Sequence, residues 1–300
     1  MFGPVIDELA SYRIMDYAFD KGITFFDTAE IYGEGVCEGI IGNWMALRKC
    51  RQQITLCSKF WTPDVPGWGR AEYMRRALRR SLERLRTDYI DLYLIHFPDP
   101  SVPIGETLEA LTAEVRAGHI KAIGCSNYSS TELQDALDTA HSLGCSRFEV
   151  IQPSYSLGTN PVGVDSYPVG LFELEDNIFP ICRKERIGVT TYSPLAVGML
   201  SGKYTKREPP EEGSRFARNS DYVRVYLTDR NVSITDKLRA KAAEFGVPMA
   251  RLAMGWAMSH PLVTAVIIGA RLTEHIDSAL EVQNFKMEPV LRREMTSWTR

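Results

Sequence analysis

Three hundred residues are enough for one large α/β barrel or for two ordinary domains, and length alone does not choose between them. With 44% hydrophobic and 24% charged residues the chain is globular, and a net charge of -3 gives no reason to expect a nucleic-acid surface or an acidic tail. The six cysteines, at 37, 50, 57, 125, 145 and 182, show neither a C-x-x-C pair nor zinc-type histidine spacing, so no metal is expected.

Cys57 and Cys125 fall inside apolar strands and read as small core residues, which implies a reducing compartment. No stretch reads as a signal peptide, and no apolar run approaches the roughly 18 residues a membrane span needs. A soluble, cytoplasmic protein is expected.

Met1-Phe2-Gly3-Pro4 leads almost directly into a helical pattern with Ile14, Met15, Ala18 and Phe19 on one face, stopped by Gly22. From there the chain alternates. Apolar strands are expected at 23–27, 54–59, 90–96, 120–126, 148–153, 187–193 and 263–269, each separated by at least one helical pattern. The basic cluster from Arg70 to Arg86 is the solvated back of an amphipathic helix, because Met74, Leu78, Leu82 and Leu85 share its other face. Ser129 with Glu132 makes a capping box. Ser233 with Asp236 is expected to open a further helix that Gly246 ends, and Pro248 suits the first turn of the next.

Strand and helix alternating without interruption mean parallel strands with right-handed crossovers. An open doubly wound sheet would carry a Gly-rich dinucleotide turn after an early strand, and no G-x-G-x-x-G follows one here. The strand ends instead carry scattered chemistry: Asp27, Lys59, His96, Asn127, Gln152, Tyr192 and Arg271. Polar groups at the ends of many strands suit the active face of a (β/α)8 TIM barrel. Residues 1–300 are therefore read as one barrel domain that is one strand short. Long loops at 61–69, 157–174 and 204–230 would frame its pocket or act as a lid, and the charge-rich third is the best candidate for disorder without ligand.

The densest chemistry begins at Phe25-Phe26-Asp27, where an apolar strand runs into a carboxylate with Tyr32 five residues on. Lys59 and His96 close two later strands and would be costly to bury without partners. Gathered at neighbouring strand ends, the four groups would satisfy each other.

These stretches resemble the aldo-keto reductase superfamily. The matching residues are 22–29 with Tyr32 and Gly33, Ser58-Lys59, 88–96, 118–127, Tyr192-Ser193-Pro194-Leu195 through Gly198, Leu200, Gly202 and Lys203, and Gly269-Ala270-Arg271. The resemblance implies a nicotinamide-dependent reductase of aldehydes or ketones in which Tyr32 protonates the substrate oxygen as hydride leaves NADPH. On this reading the Lys59 ammonium brings the phenol down from about 10, Asp27 holds the lysine, and His96 donates to the carbonyl.

It further implies that Ser126, Asn127 and Gln152 bind the nicotinamide carboxamide and that Tyr192 stacks on its ring. Ser193, Pro194, Leu195, Gly198, Ser201 and Lys203 would clamp the pyrophosphate. Gly269 and Arg271 would meet an adenosine 2'-phosphate, favouring NADP, with His275 where the family usually has Gln and Ala279 where it usually has Asn.

The family's first strand and N-terminal hairpin have no counterpart here. Truncation, a partner or another segment filling the gap, or else a fragile barrel with weak cofactor binding are the expectations. Trp61, Phe97 and Tyr155, with Trp68, are expected as pocket walls for a flat or sugar-like carbonyl compound. The same fold serves as the cytoplasmic β-subunit of potassium channels, so a cofactor-binding regulatory subunit with little turnover is the alternative. Which carbonyl compound is reduced, the direction in the cell and homo-oligomerisation stay open.

Overall fold

The computed structural model describes residues 2–3, 5–158, 171, 173–204 and 210–299. The chain divides into two compact units. The first comprises Met1–Gln152, Glu185–Ile187 and Gly269–Thr273, and the second Pro153–Lys184, Gly188–Ile268 and Glu274–Arg300.

In the first unit, helix α1 (Glu8–Asp20) is capped by Asp7, whose carboxylate accepts the Ala10 N–H at 2.7 Å. It buries Ser11, Ile14, Met15 and Ala18, the face its spacing predicts. Strand β1 (Phe25–Asp27) and helix α2 (Val36–Arg48) follow, then β2 (Thr55–Phe60), α3 (Ala71–Leu85), β3 (Ile90–Ile95), α4 (Ile104–Arg116), β4 (Ile120–Ser126), α5 (Ser130–Leu143) and β5 (Val150–Gln152). Strands β1 to β5 pair in parallel and in chain order, with Asp27 opposite Cys57, Lys59 opposite Leu94, Ile95 opposite Cys125 and Ser126 opposite Gln152.

That register sets the polar strand ends side by side. Covered on both faces, the strands are buried almost throughout, as parallel sheets require. On β4, a Cβ at position 124 would lie 2.2 Å from the Val150 carbonyl oxygen, so only glycine lets β5 come this close. The capping box of α5 is present, Ser129 accepting from the Glu132 N–H while Glu132 accepts from the Ser129 N–H at 2.8 Å.

In the second unit a π-helical turn (Glu173–Ile178) leads into α6 (Phe179–Glu185). Strand β6 (Gly188–Thr191) pairs in parallel with β7 (Val263–Val266), Thr191 opposite Val266. Between them lie α7 (Arg215–Arg218), α8 (Ser220–Tyr226), α9 (Asp229–Phe245) and α10 (Met249–Met258); α11 (Thr273–Leu280) and α12 (Pro289–Ser297) follow. Helix α9 starts earlier than Ser233, because Thr228 caps it by accepting from the Asn231 N–H at 3.2 Å.

The expected disorder of 204–230 is corrected for its described part. Ser214 and Asn219 cap two short helices, and Phe216, Val225 and Tyr226 anchor them as buried side chains, with Phe216 stacked 3.8 Å from Tyr204. Residues 205–209, and 159–170 with 172 in the other long loop, lie outside the described residues.

None of the six cysteines is in a disulfide; five are buried and Cys145 is partly exposed. No described helix is long and apolar enough to cross a membrane.

Candidate active site

The C-terminal ends of β1 to β5 carry one polar cluster inside the first unit. Asp27 ends β1, Lys59 is the penultimate residue of β2, His96 follows β3, Ser126 and Asn127 close β4, and Gln152 ends β5. Lys59 has no exposed surface, and its Nζ donates to both Asp27 oxygens at 2.8 and 2.7 Å and to the Thr28 carbonyl at 2.9 Å. Burial works against the ammonium, but Asp27, with smaller help from Tyr32, outweighs it and holds Lys59 above the usual lysine range. Asp27 also accepts from the Gln152 amide at 2.9 Å.

Tyr32 comes off the end of β1 with its ring 5.2 Å from Lys59 Nζ and edge-on to His96, centroids 5.7 Å apart. Burial raises the phenol above its ordinary pKa, while the charge and hydrogen bond of Lys59 pull the other way and Asp27 adds to the rise. The expected acidification is therefore corrected, since desolvation exceeds the effect of the ammonium. A phenol held in this way keeps its proton at neutral pH.

His96 is 8% exposed, and burial followed by the Lys59 charge pushes it well below the usual imidazole value. It is a neutral ring at pH 7, and its buried Nδ1 has no hydrogen-bond partner among the described residues. Leaving such a nitrogen unsatisfied costs on the order of 1–3 kcal/mol, so it marks a place where a ligand would repay the structure.

Asn127 adopts a left-handed φ of 62° and donates from Nδ2 to the His96 carbonyl at 3.0 Å and to Ser126 Oγ at 3.1 Å. Ser126 Oγ in turn donates to the Gln152 carbonyl at 2.6 Å. The three residues expected at the carboxamide are thus tied to His96 and Asp27.

Two of the three expected pocket walls stand beside His96. Trp61 lies 4.6 Å from Phe97 and 6.0 Å from His96, Phe97 stacks on His96 at 5.3 Å, and Trp68 Nε1 donates to the Phe97 carbonyl at 3.2 Å. Tyr155 belongs to the second unit. It is 1% exposed, stacked 4.7 Å from Trp256, and its hydroxyl contacts Glu175 and Arg292 at 2.6 Å each.

One residue escaped the sequence reading. Glu30 accepts the Trp61 backbone N–H at 2.7 Å and the Tyr73 hydroxyl at 2.8 Å on the same carboxylate oxygen. Its signal was a charged side chain between Ala29 and Ile31, two residues before Tyr32.

In the second unit, Tyr192 continues from β6 and bridges to Ser154, its N–H donating to the Pro153 carbonyl at 3.0 Å. Beyond it Ser193, Ala196, Val197 and Gly198 have φ of 57, 47, 58 and 99°. Left-handed runs of this kind turn backbone N–H groups into anion-binding hollows. Leu195, after Pro194, accepts from the Gly198 and Leu200 N–H groups, and Ser201 Oγ braces the turn by donating to the Gly198 carbonyl at 2.7 Å. A Cβ at position 198 would lie 3.6 Å from Lys203 Nζ, so the amine hangs over the bare glycine. Bent backbone with one ammonium at its rim fits a phosphate group.

Gly269 and Arg271 lie beyond the end of β7 at Val266, in the connection to α11, and His275 is exposed on α11. Among the described residues, no group of three or more His, Cys, Asp or Glu side chains is placed to hold a metal ion.

The sequence profile of the Aldo/keto reductase family matches residues 3–294. The uncharacterized oxidoreductase YrpG of Bacillus subtilis (strain 168) is 33% identical over 97% of this chain and 87% of its own length. A probable voltage-gated potassium channel subunit beta of Oryza sativa subsp. japonica is 32% identical over 97% of this chain and 85% of its own. The L-glyceraldehyde 3-phosphate reductase of Escherichia coli O157:H7 is 30% identical, covering 93% and 80%. Seven parallel strands among the described residues, alternating with helices in chain order, are the (β/α)8-barrel class of fold. With the profile spanning nearly the whole sequence, the chain belongs to the aldo/keto reductase family of carbonyl-reducing oxidoreductases, which use nicotinamide cofactors.

Proposed function

We propose that the protein is an NADPH-dependent reductase of aldehydes or ketones, acting as one barrel domain over residues 1–300, in which Tyr32 gives the proton that turns the carbonyl into an alcohol. The observation that carries this reading is a phenol kept protonated beside an ammonium and a neutral imidazole whose Nδ1 lacks a partner among the described residues. The reduced nicotinamide, when bound, supplies the hydride. The neutral His96 offers one N–H to orient the carbonyl and to take up charge developing on its oxygen. Tyr32 then donates, and Lys59 stabilises the phenolate that remains while Asp27 fixes the lysine.

Ser126, Asn127 and Gln152 are the candidates for the carboxamide, and Tyr192 for ring stacking. Ser193, Pro194, Leu195, Gly198, Ser201 and Lys203 are the candidates for the pyrophosphate. Gly269, Arg271 and His275 would serve the adenosine end, where a guanidinium favours a 2'-phosphate. Cysteines outside any disulfide suit a reducing, cytoplasmic setting.

The potassium channel β-subunit named among the relatives favours one second reading, a cofactor-binding sensor with little turnover. Following NADPH absorbance against a panel of aldehydes and keto sugars separates the two. An enzyme oxidises NADPH at rates above roughly 1 s⁻¹ with at least one member. Tight NADPH binding with no substrate-dependent oxidation anywhere in the panel would instead favour the sensor.

A further inference from the structure

Glu30 sits where the sheet runs out. Its backbone N–H donates to the Lys59 carbonyl at 3.0 Å, continuing the pairing of β1 with β2 by one more bond. One step further, just past the end of β2 at Phe60, the Trp61 N–H meets a side chain where the ladder would offer a strand carbonyl. The Glu30 carboxylate takes that place, accepting at 2.7 Å. The same oxygen is held from the other side by the Tyr73 hydroxyl on α3 at 2.8 Å.

The direction in which the chain leaves β2, and with it the Trp61 ring packed on Phe97 and near His96, is therefore set by a side chain. Burial raises Glu30 above the ordinary carboxylate pKa, the two hydrogen bonds opposing it. A half-buried carboxyl is a costly way to satisfy one N–H unless the position it fixes matters.

We propose that Glu30 is a positioning residue for the carbonyl substrate: by joining the segment that carries Tyr32 to the segment that carries Trp61, it sets the indole against which the substrate lies. The inference rests on the reductase reading. It assigns Glu30 no contact with substrate or cofactor, so its loss acts through Trp61 and not through the proton donor.

Glu30→Leu removes both bonds, whereas Glu30→Gln keeps an acceptor oxygen for both donors. With the whole chain and the best carbonyl compound of the panel, Glu30→Leu is expected to raise KM about tenfold while kcat and the NADPH Kd move less than about twofold. Glu30→Gln restores KM. Trp61→Ala raises KM by itself, and adding Glu30→Leu to it produces little more, since both changes act through one indole.

An unchanged KM in Glu30→Leu, NADPH Kd rising in step with KM, or fully additive effects in the double variant would overturn the proposal. If Glu30→Leu does not fold, Tyr73→Phe, which removes only one donor, takes its place with an expected KM rise of about two- to threefold, and no rise counts against the idea. A wild-type protein inert with every carbonyl compound sinks the reductase reading itself. An active wild type with an indifferent Glu30→Leu sinks this inference alone.

Discussion

The molecule holds two clusters built from the same four kinds of group: a phenol, a carboxylate, a cation and an imidazole. In the first unit Tyr32 stands with Asp27, Lys59 and His96; in the second Tyr155 stands with Glu175, Arg292 and His260. The difference lies in which partner the phenol receives. Tyr155 donates to Glu175 and accepts from Arg292, with Trp256 stacked on its ring, so its proton is committed to a carboxylate. Around Tyr32 the carboxylate is taken by Lys59 and Gln152, and the phenol is left beside an ammonium. A tyrosine whose proton is spoken for braces a core, and one set next to a cation can part with its proton.

Exchanging Tyr for Phe in each cluster should break that parallel most sharply. Tyr32→Phe is expected to lower turnover by about 10²–10⁴ with little change in thermal midpoint. Tyr155→Phe is expected to keep turnover and lose roughly 1–3 kcal/mol of stability, as Glu175 and Arg292 give up a shared partner. Equal effects of the two on turnover would erase the distinction.

Removing the carboxylates comes next. Asp27→Ala strands a fully buried ammonium and should cost about 3–5 kcal/mol in urea unfolding. Glu175→Ala should cost less, because that pair keeps 16 to 17% of its side-chain surface in water.

Lys203→Met tests the phosphate hollow, which belongs to neither cluster. NADPH affinity should fall about tenfold, and the salt dependence of binding should flatten.

A further effect is on pH. His96 is depressed by burial and then by Lys59, and His260 is lowered to about 4, burial first and Arg292 second. Both rings stay neutral in the fold below the pH at which the unfolded chain takes up protons. Stability should therefore decline as pH drops below roughly 6.5, by at most about 1.4 kcal/mol per pH unit for each histidine. His260→Asn should remove part of that slope, and a flat profile between pH 6.5 and 5 in the wild type would contradict both shifts.

The strand-helix alternation and the tetrad at the ends of β1 to β3 were legible because each polar residue interrupts an apolar run at a strand end, and parallel register aligns those ends. The direction of the Tyr32 shift was not, since it depends on how much water the fold removes from the hydroxyl. The setting of Tyr155 was not legible either, for a related reason. Its partners lie 20 and 137 residues away, and no local spacing announces them. In 204–230 the expectation of disorder rests on charge, which says nothing of the caps Ser214 and Asn219 or of Phe216, Val225 and Tyr226, the side chains the fold buries there. Glu30 went unnoticed because its importance comes from an N–H on another strand.

The distribution of the thiols gives the chain its own clock for opening. Cys57 and Cys125 lie deep in the first unit and Cys182 in the second, with burial pushing Cys57 far above an ordinary thiol and Cys182 up to about 12, while Cys145 keeps contact with water. A disulfide reagent applied to the intact protein should mark Cys145 within the mixing time and the others only as fast as their surroundings breathe. Peptide mapping of the slow label would time the loosening of each half separately, and cofactor added beforehand would show which half it steadies.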